Sequence, residues 1–447
     1  LRENRLITQP IPTLLKDLAI PASTGIFFNT LYNVVDTFYA GLISTEAVAG
    51  LSMSFFLYFV VVGVGFGFGS AITALIGNSL GRKKIFLGTL YAHKGILFVI
   101  LLGSVLALIG YVSAPWVLGV LGAEEAYLPL ASTYIRTILL ATPFFMSTYG
   151  LNAILVALGD TKSYRNMLIV GFFLNLVLNP LFIYGFGPIP AMGVGGIAFA
   201  TVCIQVISTI YLGRRVLNEK MLSFCSAKVY FPDWRIYKHI FSQGLPPSMN
   251  MLTMSLGSII TIYFVAIYGM EAVAGYGIAF RVEQIMLLPA LGISSAVLSL
   301  VSNNHGARKH ERVRETLVLA LKYGFILSAL GVVLGYGAGE WVVSRFDSNP
   351  QVIARAMEYL YIEVFVFFGY VVLFMCVSTL QGIKKPNVIL YVGLYRQIFG
   401  KVILFGVIVL WLTLPYVALW YGLFFIVYSS ALFLGWYTYR ALSPRVV

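Results

Sequence analysis

Glu46-Ala-Val-Ala-Gly50 returns unchanged as Glu271-Ala-Val-Ala-Gly275, 225 residues later. The same offset carries Pro21 onto Pro246, Ser23 onto Ser248 and Gly67 onto Gly292. It also carries Ser70-Ala71 onto Ser295-Ala296, Asn78 onto Asn303 and Gly81 onto Gly306. An ungapped ladder across two segments indicates an internal duplication. Farther along, a shift of a residue or two is expected, so that Gly159 and Lys162 meet Gly382 and Lys385. The chain is therefore two copies of one design.

Composition gives the class of that design. The 447 residues are 59% hydrophobic and only 11% charged, against about 25% charged in soluble proteins, and the mean hydropathy is +0.89. Backbone polar groups in lipid need internal partners, which leaves helices or a closed barrel. Barrel strands alternate over about 10 residues, and the apolar runs here are longer and continuous. Twelve segments are long enough to span, at 14–41, 53–79, 92–118, 130–158, 166–186, 193–213, 240–268, 274–303, 316–342, 354–381, 388–410 and 414–438. The expected fold is an all-α polytopic membrane protein with twelve transmembrane helices.

The net charge of +13 would suit a nucleic-acid binder, but its distribution argues against one. Basic residues gather in alternate connections: Arg2, Arg5 and Lys16, then Arg82-Lys83-Lys84, then Lys162 and Arg165. They continue at Arg214, Arg215, Lys220, Lys228, Arg235 and Lys238, at Arg308 to Arg314, at Lys384-Lys385, and at Arg440 and Arg445. The other connections hold Glu46, Glu124, Glu125, Glu271 and the Arg345–Asp347 pair. This is the positive-inside pattern. Both termini are expected in the cytoplasm, without a cleavable signal peptide. The long polar connection divides the chain into a lobe at 1–213, a connection at 214–239 and a lobe at 240–447. Each half holds six segments, so the repeats insert the same way up, as in transporters built from parallel repeats. The three cysteines, Cys203, Cys225 and Cys376, are scattered and show neither disulfide nor metal-ligand spacing. No metal site, cofactor or catalytic constellation is expected.

Asp36 stands out against this background. A carboxylate at the centre of a membrane helix costs roughly 2.5–3.5 kcal/mol on insertion scales. Asn29, Tyr32, Asn33 and Asp36 share one helix face, and such a stripe should face a bundle interior or a wet cavity. The duplication places Thr261 opposite Asp36, so the shared fold does not demand the acid. A buried carboxyl suits proton exchange, because loss of water disfavours its charged form. A purely structural aspartate is the alternative. Asn175 and Asn179 lie four residues apart on one face of segment five, and Thr201 sits at comparable depth in segment six. Amides donate to an ionised carboxyl or accept from a protonated one; the alternative role is helix–helix adhesion. Tyr134 and Asn152 are weaker candidates for a cavity. Pro21 weakens the helix upstream of Asp36 and is either a hinge or a static kink.

Other ionisable residues fall inside the second half. Arg281 and Glu283 are close in segment eight, Glu363 is in segment ten, and Arg396 and Lys401 are in segment eleven. They either pair to stabilise that lobe or form a second coupling site. His93 and Lys94 are expected to snorkel at a membrane edge. The glycines at 63, 65, 67 and 69 lie inside an apolar helix with no following Lys-Ser/Thr, so close packing is favoured over phosphate binding.

The two six-segment repeats, the Asp36 segment, the Glu-Ala-Val-Ala-Gly turns, Asn78-Ser-Leu-Gly-Arg82 and Leu158-Gly-Asp-Thr-Lys162 together resemble the multidrug and toxic compound extrusion (MATE) transporters. Within that family the chain is most similar to the prokaryotic DinF-type branch. The resemblance implies a V-shaped pair of six-helix bundles that export drugs in exchange for H⁺ or Na⁺. It implies that Asp36 matches the first-helix acid proposed as a protonation site, with Asn175 matching the associated asparagine. Asn179 departs from members with a second aspartate there. Tyr32, Asn152 and Thr201 fall near cavity positions. The Na⁺-coupled branch uses a seventh-helix glutamate that this chain lacks, although Glu363 keeps sodium open.

The expected function is H⁺-coupled antiport of cationic or amphipathic drugs by a monomer in the inner membrane, with Asp36, Asn175, Asn179 and Thr201 as the coupling group. Tyr32, Asn33, Tyr134 and Asn152 are expected to line the substrate cavity, and Arg281, Glu283 and Glu363 form the candidate second-lobe site. The rivals are a Na⁺-coupled antiporter, a lipid or lipid-linked oligosaccharide flippase, and a non-transporting scaffold. Neither an enzyme nor a nucleic-acid partner is expected.

Overall fold

The repeated pentapeptide forms the first turn of a long helix in each half. In the first copy Ser44 caps that helix by accepting from the Ala47 amide at 3.1 Å. In the second, Gly269 takes the capping position at φ +100°, a region glycine enters without penalty. Glu46 and Glu271 place a negative charge in the first turn, where the helix dipole favours it.

The structure, a computed structural model, describes residues 4–123, 127–222 and 231–443. Arg2, Glu124, Glu125, Cys225, Lys228 and Arg445 lie outside the described residues, as does part of the 214–239 connection. The described residues form helices α1 (Ile11–Ile43), α2 (Thr45–Gly81), α3 (Ile85–Val120), α4 (Leu128–Leu140), α5 (Thr142–Ala157), α6 (Lys162–Tyr184) and α7 (Val194–Asn218). The second half contributes α8 (Trp234–Ala266), α9 (Met270–Gly306), α10 (His310–Val343), α11 (Pro350–Gly382), α12 (Asn387–Trp411) and α13 (Val417–Leu442). Among the described residues there is no strand.

Eleven of these helices are long and apolar enough to span alone, and α4 with α5 makes a twelfth span bent by 48°. Pro143, in the first turn of α5, has no N–H to continue the hydrogen-bond ladder from α4. The segment read as continuous at 130–158 is therefore broken. Two π-helical turns, Tyr395–Phe399 and Val407–Trp411, interrupt α12.

The duplication reaches backbone geometry. Lys83 and Arg308 both close a helix–helix turn at φ +59°, 225 residues apart. Gly159 (φ +83°) and Lys384 (φ +61°) form a second pair at the same offset. The shift expected between Gly159 and Gly382 does not occur: the ungapped register holds, with a lysine where the first copy has glycine.

The chain forms two compact units, Thr24–Met249 and Leu1–Ser23 with Asn250–Val447. Their boundaries fall inside α1 and α8, which differs from the division at 214–239. In the Thr24–Met249 unit, α2 packs on α3 and α5, and α6 packs on α7. The start of α8 joins them. A Cβ on Gly67 would lie 2.1 Å from Ser248 Oγ, and one on Gly65 would lie 2.3 Å from the Tyr149 ring, so the glycine run is a packing surface. His93 and Lys94 are buried in this unit, 8% and 3% exposed, and Lys94 Nζ reaches the polar connection, where it donates to the Phe231 carbonyl.

In the other unit, α9 packs along α11, and most of the apolar stretch of each is buried. The opening part of α1 lies against α9, where a Cβ on Gly292 would sit 2.0 Å from Ser23 Oγ. Polar bonds fasten the residues before α1. Asn4 Nδ2 donates to Asn303 Oδ1 at 2.8 Å, Asn304 Nδ2 to the Leu6 carbonyl at 3.0 Å, and Lys309 Nζ to the Ile7 carbonyl at 2.8 Å.

Gly67 and Gly292 thus make equivalent close approaches. Gly67→Ala and Gly292→Ala are each expected to destabilise the protein by an overpacking cost of about 1–3 kcal/mol. Gly337→Ala, where a Cβ meets nothing within 4 Å, should leave stability unchanged or slightly raised. Thermal unfolding in detergent checks all three.

Candidate ion-coupling site

Three helices of the Thr24–Met249 unit meet at Asp36. α1 supplies Tyr32 and Asp36 four residues apart, α6 supplies Asn175 and Asn179 at the same spacing, and α7 supplies Thr201. Asp36 is 5% exposed, Asn175 and Asn179 are 0%, and Thr201 is 4%. A carboxylate this deep requires donors. Asn175 Nδ2 donates to Asp36 Oδ1 at 2.8 Å, and Asn179 Nδ2 donates to the same oxygen at 2.9 Å. Asn179 Nδ2 also lies 3.2 Å from Asn175 Oδ1, which fixes the amides relative to each other. The Tyr32 hydroxyl donates to Thr201 Oγ1 at 2.8 Å, and Thr201 stands beside the carboxyl as a third polar neighbour. One buried acceptor has no partner, Asn179 Oδ1.

The carboxyl faces a cavity of about 310 Å³. Tyr32, Asn33, Asp36 and Thr37 line it from α1, Tyr134 from α4 and Thr201 from α7. Leu51, Ser52, Phe55 and Tyr58 form the α2 wall. Asp36 is the one carboxylate among these lining residues, and none of them is basic. The arrangement offers a single negative charge within an aromatic wall, which suits an organic cation through charge and cation–π attraction.

Sequence reasoning brought Asp36, Asn175, Asn179, Thr201, Tyr32, Asn33 and Tyr134 to this region, and the structure places them together. Asn152 is not among the cavity-lining residues; it sits on α5 with its Oδ1 buried and unpartnered. Pro21 lies upstream in α1, which runs through it without a break. The α2 wall was missed. Leu51, Phe55 and Tyr58 do follow helical spacing, but α2 is apolar on every side, so periodicity marks no special face.

The second-lobe candidates divide. Arg281 is exposed and Glu283 is buried, because residues two apart on a helix do not share a face; Arg281 leaves the group. Glu283 and Glu363 are 5% and 1% exposed, within a buried group that also holds Tyr359, Arg396 and Lys401. The Tyr359 hydroxyl donates to Glu283 Oε2.

The family model MatE matches residues 21–181 and 246–406. The two matches are 225 residues apart, the offset of the internal ladder. The chain belongs to the MatE family. Members are transporters rather than enzymes, and this is a multi-pass membrane protein of the multidrug type. The FAD transporter of Shewanella oneidensis is 24% identical over 398 residues, covering 88% of this chain and 87% of the relative. A probable multidrug resistance protein of Bacillus subtilis is 29% identical over 334 residues, covering 72% and 70%. Among solved structures, an outward-facing multidrug resistance MATE family transporter superposes with TM-score 0.91 at 21% identity, covering 99% of this chain and 98% of that one. A MOP superfamily transporter from Pyrococcus furiosus, described as having a binding pocket of reverse polarity, matches equally well at 22% identity. These likenesses show the fold.

Asn179→Leu removes one of the two donors to Asp36. A hydrogen bond to a charged group contributes about 1.5–3 kcal/mol; its loss favours the protonated carboxyl, so organic-cation affinity near neutral pH should fall by up to roughly ten- to a hundredfold. Asn152→Leu, off the cavity, should change it less than about twofold. Equilibrium binding of a fluorescent cation to purified protein measures both.

Proposed function

We propose that the protein is an H⁺-coupled antiporter of cationic or amphipathic organic molecules, with Asp36 as the group for which proton and substrate compete. The carrying observation is the buried Asp36 carboxyl, held by two asparagine amides at the wall of an aromatic cavity without basic residues. When Asp36 is ionised, Asn175 and Asn179 donate to it and the cavity attracts a cation. When it is protonated, it becomes a donor. A half-turn of the Asn179 amide then presents Oδ1, the acceptor that lacks a partner. The cavity has lost its charge, which in a low-dielectric site changes cation binding by kilocalories. Pro21 supplies no N–H to the preceding turn and lies two residues before α1 passes from one compact unit to the other, which suits a hinge. Within this reading the protein is a monomer in the inner membrane with both termini in the cytoplasm.

The flavin-dinucleotide cargo named for the Shewanella relative favours a second substrate class. A diphosphate calls for arginine or lysine, and the residues lining this cavity offer none. The cation reading is therefore preferred.

Proteoliposomes with a fluorescent cationic dye test the proposal. A pH gradient should drive dye movement in the wild type, and Asp36→Asn should abolish the gradient-driven part of it. Movement driven by a sodium gradient alone, or unchanged in Asp36→Asn, would overturn it.

A further inference from the structure

The Asn250–Val447 portion of its unit contains a polar cluster that the Asp36 scheme leaves unused. α9 contributes Tyr276 and Glu283, α11 contributes Tyr359, Glu363 and Tyr370, and α12 contributes Arg396, Gln397 and Lys401. Arg396 and Lys401 are 7% and 8% exposed. Two carboxyls and two basic side chains thus share one buried region, and their formal charges sum to zero. They do not form direct ion pairs. Arg396 lies over the Tyr370 ring at 5.7 Å. Lys401 Nζ donates to the Gly257 carbonyl and to Thr261 Oγ1, each at 3.0 Å. Both oxygens are neutral and both come from α8. Arg396 repels the ammonium while Glu283 and Glu363 attract it; Tyr370 and Glu283 lie beside Glu363, but neither Glu363 oxygen meets a donor in good hydrogen-bond geometry.

The backbone beside the ammonium departs from a regular α-helix. The π turn at Tyr395–Phe399 adds a residue to the helical repeat and turns both Arg396 and Gln397 inward, the kind of local departure that marks functional sites. Gly257 allows α12 to approach: a Cβ there would lie 2.3 Å from Gln397 Oε1. The duplication sharpens the contrast. Thr261 occupies the place of Asp36. One copy presents a carboxylate at that position, and the other presents a hydroxyl that binds a positive charge.

A carbonyl oxygen, a hydroxyl oxygen and nearby carboxyls form the oxygen-rich environment that hard metal cations select. We propose that Lys401 is a tethered cation: its ammonium fills a small monovalent-cation position, formed by the Gly257 carbonyl, the Thr261 hydroxyl and the neighbouring Glu283 and Glu363. The chain supplies internally the charge that a sodium-coupled protein takes from solution. Lys401 thereby excludes Na⁺ and K⁺ from this unit and fixes its indifference to alkali cations. The proposal is independent of Asp36, and its test requires no transport.

The test is thermal unfolding of the full chain in detergent, in choline, sodium, potassium and lithium chlorides at equal ionic strength. The wild type and Asp36→Asn should each melt at the same temperature in every salt. Lys401→Ala should melt several degrees lower in choline and recover saturably with at least one alkali cation. Lys401→Ala with Glu363→Gln carries one fewer uncompensated charge. It should melt near the wild type in choline and lose the alkali response. Saturable stabilisation of the wild type by an alkali cation would overturn the proposal. So would a Lys401→Ala variant that melts alike in all four salts, or fails to fold in all four. A double variant as unstable as Lys401→Ala alone would overturn it as well.

Discussion

One buried carboxylate governs the Thr24–Met249 unit. Asp36 cannot remain charged among apolar helices unless something donates to it. α6 therefore aims two amides at a single oxygen, and α7 adds a hydroxyl beside them. The same requirement explains the cavity. The carboxyl's site opens onto about 310 Å³ of space, which in the proposed scheme is where a proton or an organic cation neutralises it. The amides serve both outcomes, since each can donate or accept. The aromatic wall of Phe55, Tyr58 and Tyr134 offers π faces rather than fixed counter-charges.

The two copies keep a common frame and differ in charge. Their glycines make the same close approaches, Gly67 to Ser248 and Gly292 to Ser23. Their turns adopt the same left-handed conformations at matched residues. These features satisfy packing and backbone constraints that any lipid-embedded helix must meet. At the position of Asp36, however, the second copy has Thr261 bound to the Lys401 ammonium. Duplication supplied two equivalent places, and substitution gave them opposite electrostatic character.

Much of this was legible in the sequence because the decisive signals are local. Helical spacing alone put Asn29, Tyr32, Asn33 and Asp36 on one face, and Asn175 with Asn179 on another. Membrane energetics then required these polar stripes to find one another. The α2 wall was not legible, since Leu51, Phe55 and Tyr58 sit in a helix that is apolar all round. The compact units were also hidden: tertiary contacts, rather than composition, assign the opening parts of α1 and α8 to different units. Arg281 misled because proximity in sequence is not proximity on a helix surface. The partners of Lys401 lie more than a hundred residues away on α8, and only the fold brings them together.

Competition at Asp36 is the central claim, and equilibrium binding tests it most directly. A fluorescent organic cation would be titrated into purified wild type and Asp36→Asn across a series of pH values, with no membrane or gradient present. The account predicts that wild-type affinity falls about tenfold for each unit of pH lowered once the carboxyl protonates, the slope of one linked proton. Asp36→Asn should bind weakly and without that slope. Wild-type affinity independent of pH, or the same slope retained in Asp36→Asn, would contradict the account.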